Sequence, residues 1–332
     1  MMARFCKATL PFVCKNLWES IFHDSEEFTK LYFSRRFSTR RTFYMTRNGI
    51  LLSAMQSIPY NMTFFGEKIK VGYVSGLLTR PEEQGKGYAT QVLEKSHRAL
   101  YKRGALLSLL IPATPELYNY YGRRNYIKCF FSLKERISPS SDQSLEPEIL
   151  TPEISGFVQQ ELLKRPFSIQ HTLSDLKDID ETARMSNGGF YVLRKGKIVV
   201  AVAIVEQFPS FLIAKDAFGN MTDIKILLSK IKQNGLPLVW NKFEQVQGAN
   251  PYGMARIINM EKLMKTYAAH FPNSKFQICI PRDETIPENI GTYAVNKGKC
   301  IHFKEITSNN PLRISTEIFL QHLKPVMSIM LD

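Results

Sequence analysis

Tyr73-Val-Ser-Gly-Leu-Leu-Thr-Arg-Pro-Glu-Glu-Gln-Gly-Lys-Gly-Tyr-Ala-Thr90 reads as a buried strand, a short polar turn and glycines at the mouth of a helix. A helix start exposes unpaired N–H groups and the positive end of its dipole, so it holds a phosphate without a metal. Gly85 and Gly87 keep Cβ atoms clear of that mouth, and Lys86 adds a positive charge. The stretch therefore predicts a phosphate or pyrophosphate site. No Gly-Lys-Ser/Thr end follows, which excludes a Walker loop, and a dinucleotide fingerprint fits poorly because the third small residue is Ala89.

The flanks extend the pattern. Val71 to Leu78 is short and β-prone, with Gly72 and Gly76 inside it, and glycine in a strand marks a bulge or a close approach. Ala89, Val92, Leu93, Ser96 and Leu100 follow helical spacing up to Gly104. Ala105 to Ile111 suits a central parallel strand, Pro112 stops it, and Pro115 opens a helix over Glu116–Tyr121. The local order is strand, helix, strand, helix.

On these residues the chain resembles the Gcn5-related N-acetyltransferases. Their coenzyme motif is Gln or Arg, two residues, Gly, one residue, Gly or Ala; Gln84, Gly87 and Ala89 fill it after Pro81. Leu110-Ile-Pro-Ala and Leu117-Tyr-Asn-Tyr-Tyr-Gly-Arg-Arg-Asn-Tyr126 resemble the second half of that fold. The branch it most resembles is the enhanced intracellular survival family of multidomain acetyltransferases. Their Tyr-Gly-Arg-aromatic-Gly-Tyr sequence stands here as Tyr121-Gly-Arg-Arg-Asn-Tyr126, departing at Arg124 and Asn125. Asn tolerates left-handed backbone angles, so Asn125 is expected to replace the glycine, and Arg124 to alter the substrate pocket.

The resemblance implies an α/β acyl-CoA N-acyltransferase fold with a mixed central sheet, and acetyl-coenzyme A as cofactor. The amides of Gln84, Gly85, Lys86, Gly87, Tyr88, Ala89 and Thr90 are then expected to hold its pyrophosphate, and Leu77, Leu78 and Thr79 to pair with its pantetheine arm. It assigns Tyr121 as general acid toward the departing thiolate and the terminal carboxylate, at Asp332, as general base. Acyl transfer also needs a polarised thioester carbonyl, for which the N–H of Leu78 is the expected donor.

The 332 residues suit two or three domains. The first, 1–137, is expected to open with strand Arg4–Ala8, helices near Pro11–Ile21 and Ser25–Phe37, and strands Thr42–Thr46, Leu51–Ile58 and Ile69–Leu78. Arg35, Arg36, Arg40 and Arg41 lie between helix and strand, either near the coenzyme phosphates or in a solvated loop. A linker at Ser138-Pro-Ser-Ser-Asp-Gln-Ser144 leads to a second domain, 138–250. Helix Glu153–Lys164 and a turn-rich segment precede strands Gly189–Arg194, Lys197–Glu206 and Phe211–Ala214, helix Thr222–Gln233 and strand Pro237–Trp240. Asp216-Ala-Phe-Gly-Asn-Met221 lacks the second small residue, and the resemblance implies a degenerate acetyltransferase-like domain that binds no coenzyme. For 251–332 it implies a shortened sterol-carrier-like domain. Gly253–Met264 enters a helix there, followed by strands Phe276–Ile280, Ile290–Val295 and Cys300–Phe303 and a closing helix within Leu312–Leu323.

The chain carries 44 basic and 30 acidic residues, a net charge of +14. Through Arg136 the balance is 22 against 10, and beyond it 22 against 20, so the excess sits on the first domain. That suits an anionic cofactor. A basic nucleic-acid-binding module is the rival reading, but zinc spacing, a glycine-aromatic RNA signature and a recognition helix are all missing, so no nucleic acid partner is expected. A non-catalytic acyl-CoA-binding or sensing protein is the other alternative.

Cys6, Cys14, Cys129, Cys279 and Cys300 have no metal-site spacing and suggest no disulfide framework. Arg4, Lys7 and Lys15 interrupt any leading apolar run, and Leu106–Ile111 is too short to cross a bilayer, so a cytoplasmic protein without membrane contact is expected. The leading expectation is direct acetyl transfer to an amine of a small molecule or peptide. The resemblance leaves a homo-oligomer possible.

Overall fold

The computed structural model describes residues 9–139, 144–231, 235–306 and 312–331. The expected strand Arg4–Ala8, Cys6, part of the linker and Asp332 lie outside the described residues. The chain is mixed α/β and divides into two compact units. The first gathers Met1–Tyr60, Ile69–Cys129 and Gly253–Leu323; the second gathers Asn61–Lys68, Phe130–Tyr252 and Lys324–Asp332.

The first unit begins with α1 (Leu10–Phe22), α2 (Glu26–Leu31) and a π-helical turn, Tyr32–Arg36. Ser25 caps α2 by accepting from the Phe28 N–H. Then come β1 (Thr42–Arg47), β2 (Ile50–Phe64), β3 (Glu67–Thr79), α3 (Tyr88–Lys102), β4 (Leu107–Leu110), α4 (Pro115–Gly122) and β5 (Ile127–Ile137), of which the end of β2, the start of β3 and β5 from Phe130 on belong to the second unit. α3 buries Val92, Leu93, Ser96, His97 and Leu100, one stripe at i, i+3/i+4 and i+7/i+8 spacing. Each fully buried leucine contributes about 1.5–3 kcal/mol.

β1 pairs antiparallel with β2, and β3 pairs parallel with β4. The other edge of β4 is taken by β11 (Asn250–Ile257), antiparallel, with Met254 opposite Leu110. The sequence reading ran Gly253–Met264 straight toward a helix. The structure instead makes Met254–Ile257 a buried strand, and α8 (Met260–His270) starts only where Asn259 caps it. A four-stranded sheet of β14 (Lys299–Phe303), β13 (Gly291–Asn296), β12 (Phe276–Ile280) and β15 (Arg313–Ile314) follows, with α9 (Thr316–His322).

The second unit holds α5 (Pro152–Lys164), β6 (Ile169–Gln170), α6 (Leu173–Met185), β7 (Gly189–Lys195), β8 (Ile198–Phe208), β9 (Phe211–Gly219), α7 (Met221–Ser229) and β10 (Leu238–Lys242). The segment expected to be turn-rich contains α6, opened by a Thr172–Asp175 capping box. Its polar residues hid the buried Leu176, Ile179 and Ala183 spacing. β9 pairs antiparallel with β8 and parallel with β10. The tail is tied into this unit: Val326 bonds the backbone of Phe167 and Ile169, and Ile329 and Leu331 join the core beside Val158 and Phe218.

Candidate active site

A bulge in β3 creates the site. β3 and β4 are paired only from Val71–Leu107 to Tyr73–Leu109. Val74 packs toward α3 with Val92 and Tyr121, and the next side chain on that face is Leu77, three residues on. Gly76 between them has φ +60°, and a Cβ there meets the Trp18 ring at 2.0 Å, so only glycine fits. One extra residue thus flips the alternation, as a bulge does, and parallel pairing stops. Beyond Tyr73 the edge of β3 that faced β4 has no β4 partner.

After the flip, Leu78 turns away. Its side chain is buried with Trp18 and Leu51, and its carbonyl accepts from Ser53 Oγ at 2.7 Å. Two residues later the Arg80 N–H bonds Leu52 O on β2. A strand directs the N–H and C=O of one residue to the same edge, so the Leu78 N–H faces β2. This corrects the expectation for Leu78; Leu77 and Thr79 are the residues that face the unpaired edge.

At the end of β3, a 3₁₀ turn (Pro81–Glu83) leads into the glycine loop. Gly85 and Gly87 have φ +77° and +83°, and an added Cβ on either meets no protein atom within 4 Å. The glycines are needed for backbone conformation, and the space above them is open. Gly87 is the N-cap of α3, and no side chain caps the helix. The first amides of α3, at Tyr88, Ala89 and Thr90, are therefore presented to the adjoining groove with the dipole's positive end. That donor set fits a diphosphate. Lys86 and Arg47 both hold Glu83, at 3.1 and 2.5 Å.

The groove has a volume of about 380 Å³. Of the ten residues expected to bind coenzyme, Leu77, Thr79, Gln84, Gly85, Gly87, Tyr88, Ala89 and Thr90 line it, whereas Leu78 and Lys86 do not. Tyr121 lines the same groove from α4 with 7% of its surface exposed. Burial pushes its phenol well above the ordinary range; Tyr126 and Tyr120 add to this and Arg124 opposes it. Tyr121 therefore keeps its proton at neutral pH and beyond.

The two departures from the family pattern have structural explanations. Asn125 adopts φ +63°, and the Tyr126 N–H returns to Tyr121 O, closing α4 as a glycine would. Arg124 lies 3.6 Å over the Tyr120 ring, donates to Tyr120 O at 2.6 Å and clamps Thr90 Oγ1 from Nε and Nη2 at 3.0 and 2.5 Å. It joins α4 to the mouth of α3 and lines the groove.

Sequence reasoning did not place Glu83 or Leu117 in the groove wall, nor Arg47 on Glu83, whereas Arg124, expected to alter the substrate pocket, does line the groove. Arg35, Arg36, Arg40 and Arg41 do not line the groove. His97 is buried and bonds Tyr126 Oη at 2.9 Å. Asp332 lies outside the described residues. Among the described residues no acidic, histidine or cysteine cluster suits a metal, and no helix is long and apolar enough to cross a membrane.

Residues 13–126 match the family model described as acetyltransferase (GNAT) domain. No curated protein matches the chain by sequence. Solved structures of similar fold include a Gcn5-related N-acetyltransferase of Anabaena variabilis, with 15% identity, TM-score 0.71, 95% of this chain and 87% of that one covered. Eis1 of Mycobacterium abscessus is similar at 12% identity and TM-score 0.70, covering 96% and 87%. A probable N-acyltransferase of Enterococcus faecalis gives 14%, 0.69, 95% and 87%. Residues 13–126 therefore form a GNAT acetyltransferase domain, and such domains use acetyl-coenzyme A.

Proposed function

We propose that the protein transfers the acetyl group of acetyl-coenzyme A directly to a primary amine on a small molecule or peptide. The coenzyme supplies an acetyl group activated as a thioester. In this reading the Tyr88–Thr90 amides and the Gly85–Gly87 turn hold the diphosphate. The unpaired edge of β3 at Leu77 and Thr79 pairs with the pantetheine arm and offers an N–H to the carbonyl oxygen. Tyr121 gives its proton to the sulfur as the C–N bond forms and the C–S bond breaks, and the proton shed by the amine nitrogen, passed through solvent, restores the phenol.

The observation that carries the reading is that an uncapped helix mouth and a buried, protonated phenol share one groove. Titration calorimetry with acetyl-coenzyme A is expected to show one-site binding, and thiol release is expected with at least one member of a panel of polyamines, aminoglycosides and lysine peptides. Absence of binding rejects the coenzyme assignment. Binding without thiol release or acetyl transfer to any amine rejects the amine-transferase assignment.

A further inference from the structure

A cavity of about 540 Å³ lies where the end of α4, the start of β5, the end of β12 and the start of α9 meet, all within the first unit. It shares no lining residue with the coenzyme groove, and no residue of α3 borders it. Most of its wall lies beyond the matched residues 13–126.

The lining is apolar from base to opening. Tyr126, Ile257 and Met260 are buried, Ile127 and Ile280 are half-buried, and Pro281 is exposed. One wall is fixed in advance. Asp283 accepts from Arg256 Nη2 at 2.6 Å, from the Ile286 N–H at 2.8 Å and from Asn289 Nδ2 at 3.2 Å. Asn289 Oδ1 in turn accepts from the Met260 N–H at 3.0 Å. A preformed wall leaves little to be ordered when a ligand enters. On the α4 side, Gly122 leaves space: its φ is not left-handed, and a Cβ added there meets no atom within 4 Å. Glycine weakens a helix, so backbone conformation does not account for it.

Three charged side chains border the cavity, and two of them have ionic partners. Asp283 is paired with Arg256, and Arg282 with Glu284. Glu317 is exposed, accepts from Gln321 Nε2 at 3.2 Å and has no cationic partner among the described residues.

We infer that this cavity is a small-molecule site separate from the groove, and that its ligand is an amphipathic amine. The apolar body lies against Ile127, Ile280 and Pro281, and the ammonium group donates to the Glu317 carboxylate in a charge-assisted bond. Apolar walls with a few convergent polar groups are the usual form of such sites, and the volume falls within their range of about 300–1,000 Å³.

The test titrates the full chain, without coenzyme, with octylamine, octanol and octanoate in a calorimeter. Octylamine is expected to bind about fivefold more tightly than octanol, the size of a well-formed exposed ion pair, and octanoate more weakly than either. Glu317→Gln is expected to bring octylamine within about twofold of octanol while octanol affinity stays unchanged, a pattern that misfolding does not produce. Gly122→Leu, which puts a side chain into the cavity, is expected to abolish binding of both. The site is overturned if octylamine does not bind, if octanoate binds as tightly, if the amine preference survives Glu317→Gln, or if amine binding survives Gly122→Leu. None of these outcomes touches the coenzyme reading, which stands or falls on its own titration with acetyl-coenzyme A.

Discussion

Two strand–helix–strand segments share a plan in this chain and end differently at the helix mouth. In the first unit, β3 runs parallel to β4 for three residue pairs and then continues to Thr79 with no β4 partner on that edge; in the second, β9 runs parallel to β10 for three pairs and continues to Gly219. After β3 come a 3₁₀ turn and a glycine loop, and α3 starts with no side-chain cap. After β9 a single residue, Asn220, intervenes, and its side chain accepts from the Asp223 N–H at 3.0 Å. The strand end is also occupied. Arg165 forks onto Asp216 at 2.6 and 2.9 Å and reaches Ala217 O, while Asp216 accepts from the Ala217 N–H. Tail residues Ile329 and Leu331 pack in the same core as Phe218. Open donors mark a ligand site; donors satisfied from within mark a structural copy of the same plan.

Breaking the occupied copy is expected to have the largest effect. Arg165→Met leaves Asp216 buried without its cation and is expected to cost about 3 kcal/mol in urea unfolding, the low end for a broken buried pair. The reason for the low end is that Arg165 keeps 23% of its side chain exposed. Acetyl-coenzyme A affinity of the folded variant is expected to be unchanged; a parallel loss of both tells against treating the two segments as separate in function.

Next in size is Tyr121→Phe. Turnover is expected to fall at least ~10-fold, about 1.4 kcal/mol in barrier, with coenzyme affinity retained. Unchanged turnover removes Tyr121 from the chemistry. The raised phenol pKa has a signed consequence. Its contribution to stability is fully present below the ordinary value of about 10 and is lost as pH rises through the higher folded-state value. Melting from pH 8 to 12 is therefore expected to show a shallower alkaline decline in Tyr121→Phe than in the native protein.

Gly87→Asp makes the open mouth resemble the capped one. Asp tolerates left-handed φ, caps well and carries the wrong charge for a phosphate. Coenzyme affinity is expected to weaken about tenfold while Tm changes by only a few degrees. Full retention of affinity shows that the diphosphate lies elsewhere. The smallest effect belongs to Asn125→Gly, expected within about 0.5 kcal/mol of the native protein, whereas Asn125→Val is expected to lose about 1–2 kcal/mol. Equal stability of the two tells against backbone conformation as the reason for Asn125.

The glycine loop, the helix after it and the Asn125 turn were legible because each depends on local chemistry: left-handed φ, an apolar stripe, a tolerant side chain. The strand at Asn250–Ile257 was not legible. Its assignment depends on the free edge of β4, more than a hundred residues earlier. α6 was missed because its polar residues dilute a short buried stripe.

Leu78 shows the same boundary within a single strand. The sequence by itself determined that a strand with internal glycines leads to a phosphate-holding helix mouth, since backbone angles and dipoles are local properties. Only the tertiary structure decided which amides face outward. The packing of Trp18 on Gly76 accompanies a bulge that inverts the alternation, turning Leu78 toward β2 and leaving Leu77 and Thr79 on the unpaired edge. Arg256 is likewise distant in sequence, and folding alone brings it to the carbonyl of Arg124.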